Sequence, residues 1–319
     1  MMRKISVLML GLIIALSACT NNKTAKKTGK PVIEKLGTID LDLVETTPIV
    51  FKGRLYRFEY VRKGYYGNKT GDSYFRFIDH ETGRATPAFA RGYHLGSAFV
   101  EGDTVYVTGT NIWDGERIDI FASADLEHWR SWNALNLPGY GLFNTSMCKA
   151  DSLYVLMFEV GKPPEVAGKR FTARFATSPD LHRWQLTPSE CNYTKERYSA
   201  PHCLRYLDGY FYNFYLEAFN GWETRVVRSR DLIHWQPSPY NPVLRASPED
   251  KQIANPSLTS EQRQIIAKAE NRNNSDIDFC EYQGRLIINY SWGNQHGTEF
   301  LAEAVYNGSL RDFLTGWYP

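Results

Sequence analysis

The sequence predicts an all-β chain folded as a five-bladed β-propeller of four-stranded antiparallel blades, and three observations predict it. One signature occurs three times: Ser123-Ala-Asp-Leu-Glu-His-Trp129, Ser178-Pro-Asp-Leu-His-Arg-Trp184 and Ser229-Arg-Asp-Leu-Ile-His-Trp235. The copies start 55 and 51 residues apart, a period that marks propeller blades in a strand-rich chain. Each copy follows an alternating strand, and about 282 residues from Thr38 onward divide into five repeats of about 56, enough for four strands and their loops. In each copy the Asp suits a tight turn, since its carboxylate can bond its own backbone two residues on. The Trp is placed to cover the apolar seam between blades. These residues are scaffold, and function is sought elsewhere.

The N-terminus has Arg3 and Lys4, an apolar run from Ile5 to Leu16, then Ser17-Ala18-Cys19, a secretory pattern too short for a membrane span. Leu16-Ser-Ala-Cys19 resembles the bacterial lipobox, in which the Cys becomes the lipidated first residue; an ordinary secretory signal is the alternative. Residues 1–18 are therefore expected to be a lipoprotein signal peptide, 19–36 a flexible tether and 37–319 the propeller domain. The expected location is the bacterial cell envelope, periplasmic or surface-exposed, with membrane attachment through lipid on Cys19 only.

The first repeat opens with Thr47-Pro-Ile-Val-Phe-Lys-Gly53 and replaces the signature with a degenerate turn, Asp79-His-Glu-Thr-Gly83. Later repeats begin at His94, Asn144, Ser199 and Asp276. A short alternating strand, Thr38 to Leu43, precedes them and is predicted to complete the last blade, which would remove an exposed edge. A helical insertion at about 247–273, with Thr259 or Ser260 as N-cap, interrupts the pattern before that blade. Such an insertion shapes a cleft or merely decorates the surface.

Composition excludes several function classes. Loss of Arg3 and Lys4 with the signal leaves 35 basic and 35 acidic residues, which argues against nucleic acid as partner. Cys148, Cys191, Cys203 and Cys280 match no zinc spacing and are read as buried free thiols. No phosphate-binding loop, dinucleotide fingerprint or nucleophile elbow is present. No cofactor is expected, beyond a structural calcium or sodium ion on the axis that sequence cannot address. The 20 Tyr and 8 Trp suit a surface that stacks on sugar rings.

In a propeller the inner strand starts, and the second strand ends, on one face. The starts give Glu45, His94, Asn144, Ser199 with His202, and Asp276 with Asp278; the ends give Glu59, Asn111, Glu159, Glu217 and Trp292. A bowl of carboxylates, imidazoles and amides suits a carbohydrate. The Ser-x-Asp-Leu-x-x-Trp turns in a five-blade frame resemble the propeller glycoside hydrolases of families 32, 43, 62, 68 and 117, over nearly the whole mature chain. That resemblance implies glycosidic hydrolysis, with inversion. It also implies three acids that this chain replaces. Where family 43 has Asp before Pro in the first blade, this chain has Thr47-Pro48, with Glu45 two residues earlier. A second Asp is replaced by Asn144, and the Glu of Glu-x-Pro by Ser199 in Ser199-Ala-Pro201.

The relocated catalytic set is Glu45, Asp276 and Glu217, since hydrolysis needs one protonated carboxyl and one ionised carboxylate. Asp276 and Asp278, two apart, would share a strand face and push their pKa values apart. Each has a structural alternative, and Glu217 could instead pair with an Arg. His94, Asn144, Ser199, His202, Asn274, Asp278 and Trp292 are the substrate-binding candidates, and Trp113 and Trp222 are further stacking candidates. Two other readings stay open: an inactive glycan-binding lipoprotein, for which Thr47, Asn144 and Ser199 speak, and a polysaccharide lyase using His202 and Tyr198, with Arg91 or Arg197 to neutralise a uronate.

Overall fold

The computed structural model describes residues 29–62, 73–218, 221–297 and 299–319. The expected signal peptide and the lipidation candidate Cys19 lie outside the described residues. A first strand, β1 (Glu34–Leu41), is followed by five blades. Blade 1 contains β2 (Thr46–Phe51), β3 (Arg54–Val61) and β4 (Tyr74–Asp79). Blade 2 contains β5 (His94–Glu101), β6 (Thr104–Thr110), β7 (Arg117–Ser123) and β8 (Arg130–Asn136). Blade 3 contains β9 (Gly141–Ala150), β10 (Leu153–Lys162), β11 (Thr172–Ser178) and β12 (Gln185–Leu186), with β13 (Asn192–Tyr193) also on β11. Blade 4 contains β14 (Ser199–Leu207), β15 (Tyr210–Ala218), β16 (Trp222–Ser229) and β17 (Gln236–Pro237). Blade 5 contains β18 (Asn273–Tyr282), β19 (Arg285–Gly293) and β20 (Glu299–Tyr306).

The inner strands β2, β5, β9, β14 and β18 touch in succession, and β18 returns to β2, which closes the ring. The expected closure is present: β1 pairs antiparallel with β20, from Glu34 opposite Val305 to Leu41 opposite Phe300. The strand starts four residues before Thr38, inside the stretch expected to be a tether. Among the described residues blade 1 has no regular fourth strand; isolated bridges from Phe75 to Phe89 and from Ile78 to Ala85 cover its edge.

The signature turns follow their chemistry. Ser123 Oγ accepts the N–H groups of Asp125 and Leu126, while Asp125 accepts those of Glu127 and His128. Ser229 and Asp231 repeat the arrangement. Each turn puts its Leu in the left-handed region (φ 66°, 65° and 63° at Leu126, Leu181 and Leu232), a strain of order 1 kcal/mol per residue. Burial of those Leu side chains offsets it. The degenerate turn keeps the Asp role, with Asp79 accepting from Glu81 and Thr82. Trp129 covers the preceding blade, stacked 3.8 Å from Phe89, and Trp235 stacks 6.0 Å from Phe175.

The insertion contains a 3-10 turn, Pro248–Lys251, and helix α1 (Ser260–Lys268). Thr259 is the N-cap, in a reciprocal box with Gln262. The insertion neither shapes the central cavity nor decorates the surface; it straps β1 in place. Thr38 donates to Gln252 O at 2.7 Å, and Ala254 donates back to Thr38 O at 3.0 Å. Gly37 permits this approach: a Cβ there would lie 2.3 Å from Gln252 O. Asp250, fully buried, accepts from Lys35 (2.7 Å), Tyr290 (2.9 Å) and Asn274 (3.0 Å). A last helix, α2 (Leu310–Gly316), packs Phe313 into the core of blades 4 and 5. Among the described residues no helix is long and apolar enough to cross a membrane.

Candidate active site

Four of the five inner strands are irregular near the start, and these irregularities build the site. Register shifts occur at His94/Ser97, opposite Phe158/Val160, at Ser199/His202 and at Ser275/Asp278, whereas β2 runs in regular register. A bulge gives one strand an extra residue and re-aims its side chains. Leu95 (φ 54°) and Asp276 (φ 52°) occupy equivalent bulge positions in blades 2 and 5, and both line one central cavity of about 250 Å³.

Carboxyl groups form its floor. Glu45 precedes β2, and Asp276 Oδ2 accepts from Ser275 Oγ (2.6 Å) and Ser291 Oγ (2.8 Å). Burial pushes the Asp276 carboxyl well above its usual range; the charge of Glu45 adds to this and the two serines oppose it. Burial also raises Glu45, but Arg62, 4.0 Å away, opposes the rise. Glu299, the first residue of β20, is raised to about 7 by burial against donors from Gln295 and Asn273. Glu159 has both oxygens engaged, by His202 Nδ1 (2.9 Å) and Asn144 Nδ2 (3.1 Å).

The wall is aromatic. Trp113, Phe143, Phe171 and Tyr198 touch in succession, with centroids 6.1, 4.5 and 5.8 Å apart. His94 extends the series at one end (6.0 Å from Trp113) and Trp222 at the other (5.4 Å from Tyr198). Gly161 makes the close approach possible, since a Cβ there would lie 2.6 Å from Phe143 and 2.9 Å from Phe171. Below the floor lies a second cavity of about 30 Å³, lined by Glu45, Thr46, Asn144, His202, Asp276 and Asp278 among others. Glu45 Oε2, Thr46 Oγ1, Asn144 Oδ1 and His202 Nε2 are buried there without hydrogen bonds. This polar pocket is large enough for one water, which would find four unsatisfied polar atoms around it. Among the described residues no three His, Cys, Asp or Glu side chains form a metal cluster. Cys148, Cys191, Cys203 and Cys280 are free thiols.

Of the sequence candidates, Glu45, Asp276 and Asn144 meet in the upper cavity, and His202 and Asp278 reach the lower one. The others are corrected. Glu217 is absent from the lining; it accepts from Tyr215 OH at 2.7 Å and pairs with Arg197 at 3.1 Å. Ser199 donates to Phe171 O at 3.1 Å and so props the wall. Asn274 joins Asp250 and Lys35 (2.6 Å) under the strap. Trp292 is fully buried, with Nε1 on Thr38 Oγ1 at 2.9 Å and its ring against Phe300. His94 sits behind the wall, where Tyr60 OH donates to Nδ1 (2.5 Å), and burial lowers it to about 4. Asp276 and Asp278 do not pair as expected, because the bulge separates them; Asp276 feels the charge of Glu45, and Asp278 pairs with Arg205. Glu59 faces away from the bowl, toward blade 5. Glu299, Arg62, Phe143 and Phe171 were missed by the sequence reading; no repeat position or motif marks them.

Solved structures with this architecture are numerous. A thermostable family-43 glycoside hydrolase superposes with a TM-score of 0.59 at 10% identity, over 84% of this chain and 90% of that one. The fold is that of the five-bladed propeller glycoside hydrolases. The α-L-arabinofuranosidase PaAbf62A from Podospora anserina, in complex with cellotriose, gives 0.59 at 9% identity over 88% and 98%. A complex of BT0996 with RGII gives 0.58 at 12% identity over 86% and 92%. No protein-family model matches the chain, and no curated protein matches it.

Proposed function

We propose that this protein is a glycoside hydrolase in which the Glu45–Asp276 pair does the acid–base chemistry on an oligosaccharide or polysaccharide fragment. The observation that carries the proposal is that pair on the floor of an aromatic-walled bowl, with unequal electrostatics. Asp276, protonated, gives its proton to the departing glycosidic oxygen. Glu45, whose carboxylate form Arg62 favours against the effect of burial, takes a proton from a water that attacks the anomeric carbon from the opposite side, which inverts the configuration. The proposal places the protein in the bacterial cell envelope, tethered by lipid on Cys19.

A glycan-binding role is the second reading. It is favoured by Ser199 and Asn144, which stand where family 43 has acids and whose side chains bond to Phe171 O and Glu159. The lyase reading loses support: the His202 imidazole is enclosed against Glu159, and burial and nearby carboxylates raise the Tyr198 phenol, which disfavours a phenolate base.

Product analysis by mass spectrometry against a glycan panel tests the proposal. The wild type should release products carrying added water. Asp276→Asn and Glu45→Gln should each lower turnover by about 10²–10⁴ while sugar binding persists. Binding without turnover would leave the binding role, an unsaturated product would restore the lyase, and full activity in both variants would refute the assigned pair.

A further inference from the structure

The two sides of the bowl differ in chemistry, and the difference bears on which sugar fits. On the side of blades 5 and 1 lie Glu45, Asp276, Arg62 and Gln295. On the side of blades 2 to 4 the described lining is Trp113, Phe143, Phe171 and Tyr198, filled in by Leu95 and Leu216. Glu159 and Asn144 sit between them, but Glu159 is engaged by His202 and Asn144.

The wall is also not a stacking platform. Its successive rings are turned by 89°, 59° and 71°, so edges alternate with faces and no flat surface spans two rings. A corrugated wall of this kind accepts a small apolar protrusion better than the broad face of a pyranose. A hydroxyl pointed at the Phe143 and Phe171 rings would lose its water without gaining a partner. An acetamido methyl would bring its amide N–H and C=O to the same carbon surface. A uronate would find Arg62, the cation of the described lining, already facing Glu45.

From this geometry we infer that the bowl selects a 6-deoxyhexose, with the C6 methyl against the Phe143–Phe171 wall and the ring hydroxyls toward Glu45, Asp276 and Gln295. The inference names the sugar class for the site proposed above and rests on that site being the one that binds substrate. Its binding arm does not depend on catalysis.

Matched pairs that differ only at C6 test it. Methyl L-fucoside against methyl L-galactoside, and methyl L-rhamnoside against methyl L-mannoside, would be titrated into the full chain by calorimetry. In at least one pair the 6-deoxy member should bind roughly 10–100-fold tighter, the range an apolar pocket achieves against an added hydroxyl. Phe143→Tyr, which places a hydroxyl in the wall, should shrink that ratio, with circular dichroism confirming the fold. Equal binding within both pairs, preference for the 6-hydroxy members, or no binding of either deoxy glycoside overturns the inference. Nitrophenyl glycosides of the same sugars separate the two proposals. A deoxy preference in binding with no turnover keeps this inference and removes the hydrolase. Turnover without any C6 preference does the reverse.

Discussion

The seam between blades 1 and 2 is made of carbon, whereas the seam between blades 5 and 1 is largely ionic. In the first, Phe58, Phe75, Phe77, Phe89 and Phe121 interlock edge to face under the Trp129 ring. In the second, two small apolar clusters, Ile39–Leu43–Leu301 and Leu55–Ile287–Val305, flank a cluster of charges. Glu59, with no exposed surface, accepts from Arg57 (2.6 and 2.9 Å) through one oxygen and from Arg76 (2.8 Å) through the other. Burial raises the nearby Asp40 carboxyl, His80 pairs with Glu303 at 3.1 Å, and a cleft of about 600 Å³ remains. The three seams from blade 1 to blade 4 can be buried dry because the signature delivers Trp129, Trp184 and Trp235 to them in turn. The closing seam joins distant parts of the chain and has no such delivery. There the backbone ladder holds the strands, and we read the charges as a device that fixes register; buried ion pairs add little net stability.

Phe75→Ala should cost about 3–5 kcal/mol by urea unfolding, because its ring is fully buried among four others. A loss below about 1 kcal/mol would refute the claim that carbon dominates that seam. In the ionic seam Glu59→Ala should cost about 3 kcal/mol by leaving two guanidiniums facing each other. The triple change Arg57→Met, Glu59→Leu, Arg76→Met should lie within about 1 kcal/mol of wild type. A much larger loss would show that the charges stabilise rather than specify.

The two sides should also respond oppositely to pH. Glu299, at the top of the closing seam, has its folded pKa raised from 4.5 to about 7, so the folded state holds the extra proton. Its contribution is present below about 4.5 and is lost as pH rises through about 7, on the order of 3 kcal/mol. His94, above the carbon seam, is lowered from 6.5 to about 4, so its contribution is present above 6.5 and lost as pH falls through about 4. Urea melts from pH 4 to 8 should therefore show Glu299→Gln flattening the decline between about 4.5 and 7 only. The smallest effect belongs to the exposed pair: His80→Ala should change stability by less than about 1 kcal/mol.

How much of this was legible in the sequence depended on whether a feature was local. The turns were, because Ser, Asp and Trp act within seven residues of one another. Ring closure was too, since an alternating strand before the first repeat has one vacant edge to fill. The bulges were not. Phe58-Glu59 and Phe158-Glu159 read alike, yet one carboxylate faces a seam and the other the bowl, because only β9 carries a bulge opposite its Glu. The same irregularity separates Asp276 from Asp278. Asn274 was misread for a further reason: its partners Lys35 and Asp250 lie far off in sequence and announce nothing near position 274.

The β1–β20 ladder also has a consequence in time. Glu34 and Val305 are made at opposite ends of synthesis, roughly 15–55 s apart at ~5–20 residues per second. Throughout that interval the nascent chain holds finished blades beside two unpaired strand edges, one on each side of the gap. Those edges are the surfaces on which two copies of the chain could pair wrongly, so crowding of ribosomes on one message is the condition under which misassembly should first be seen.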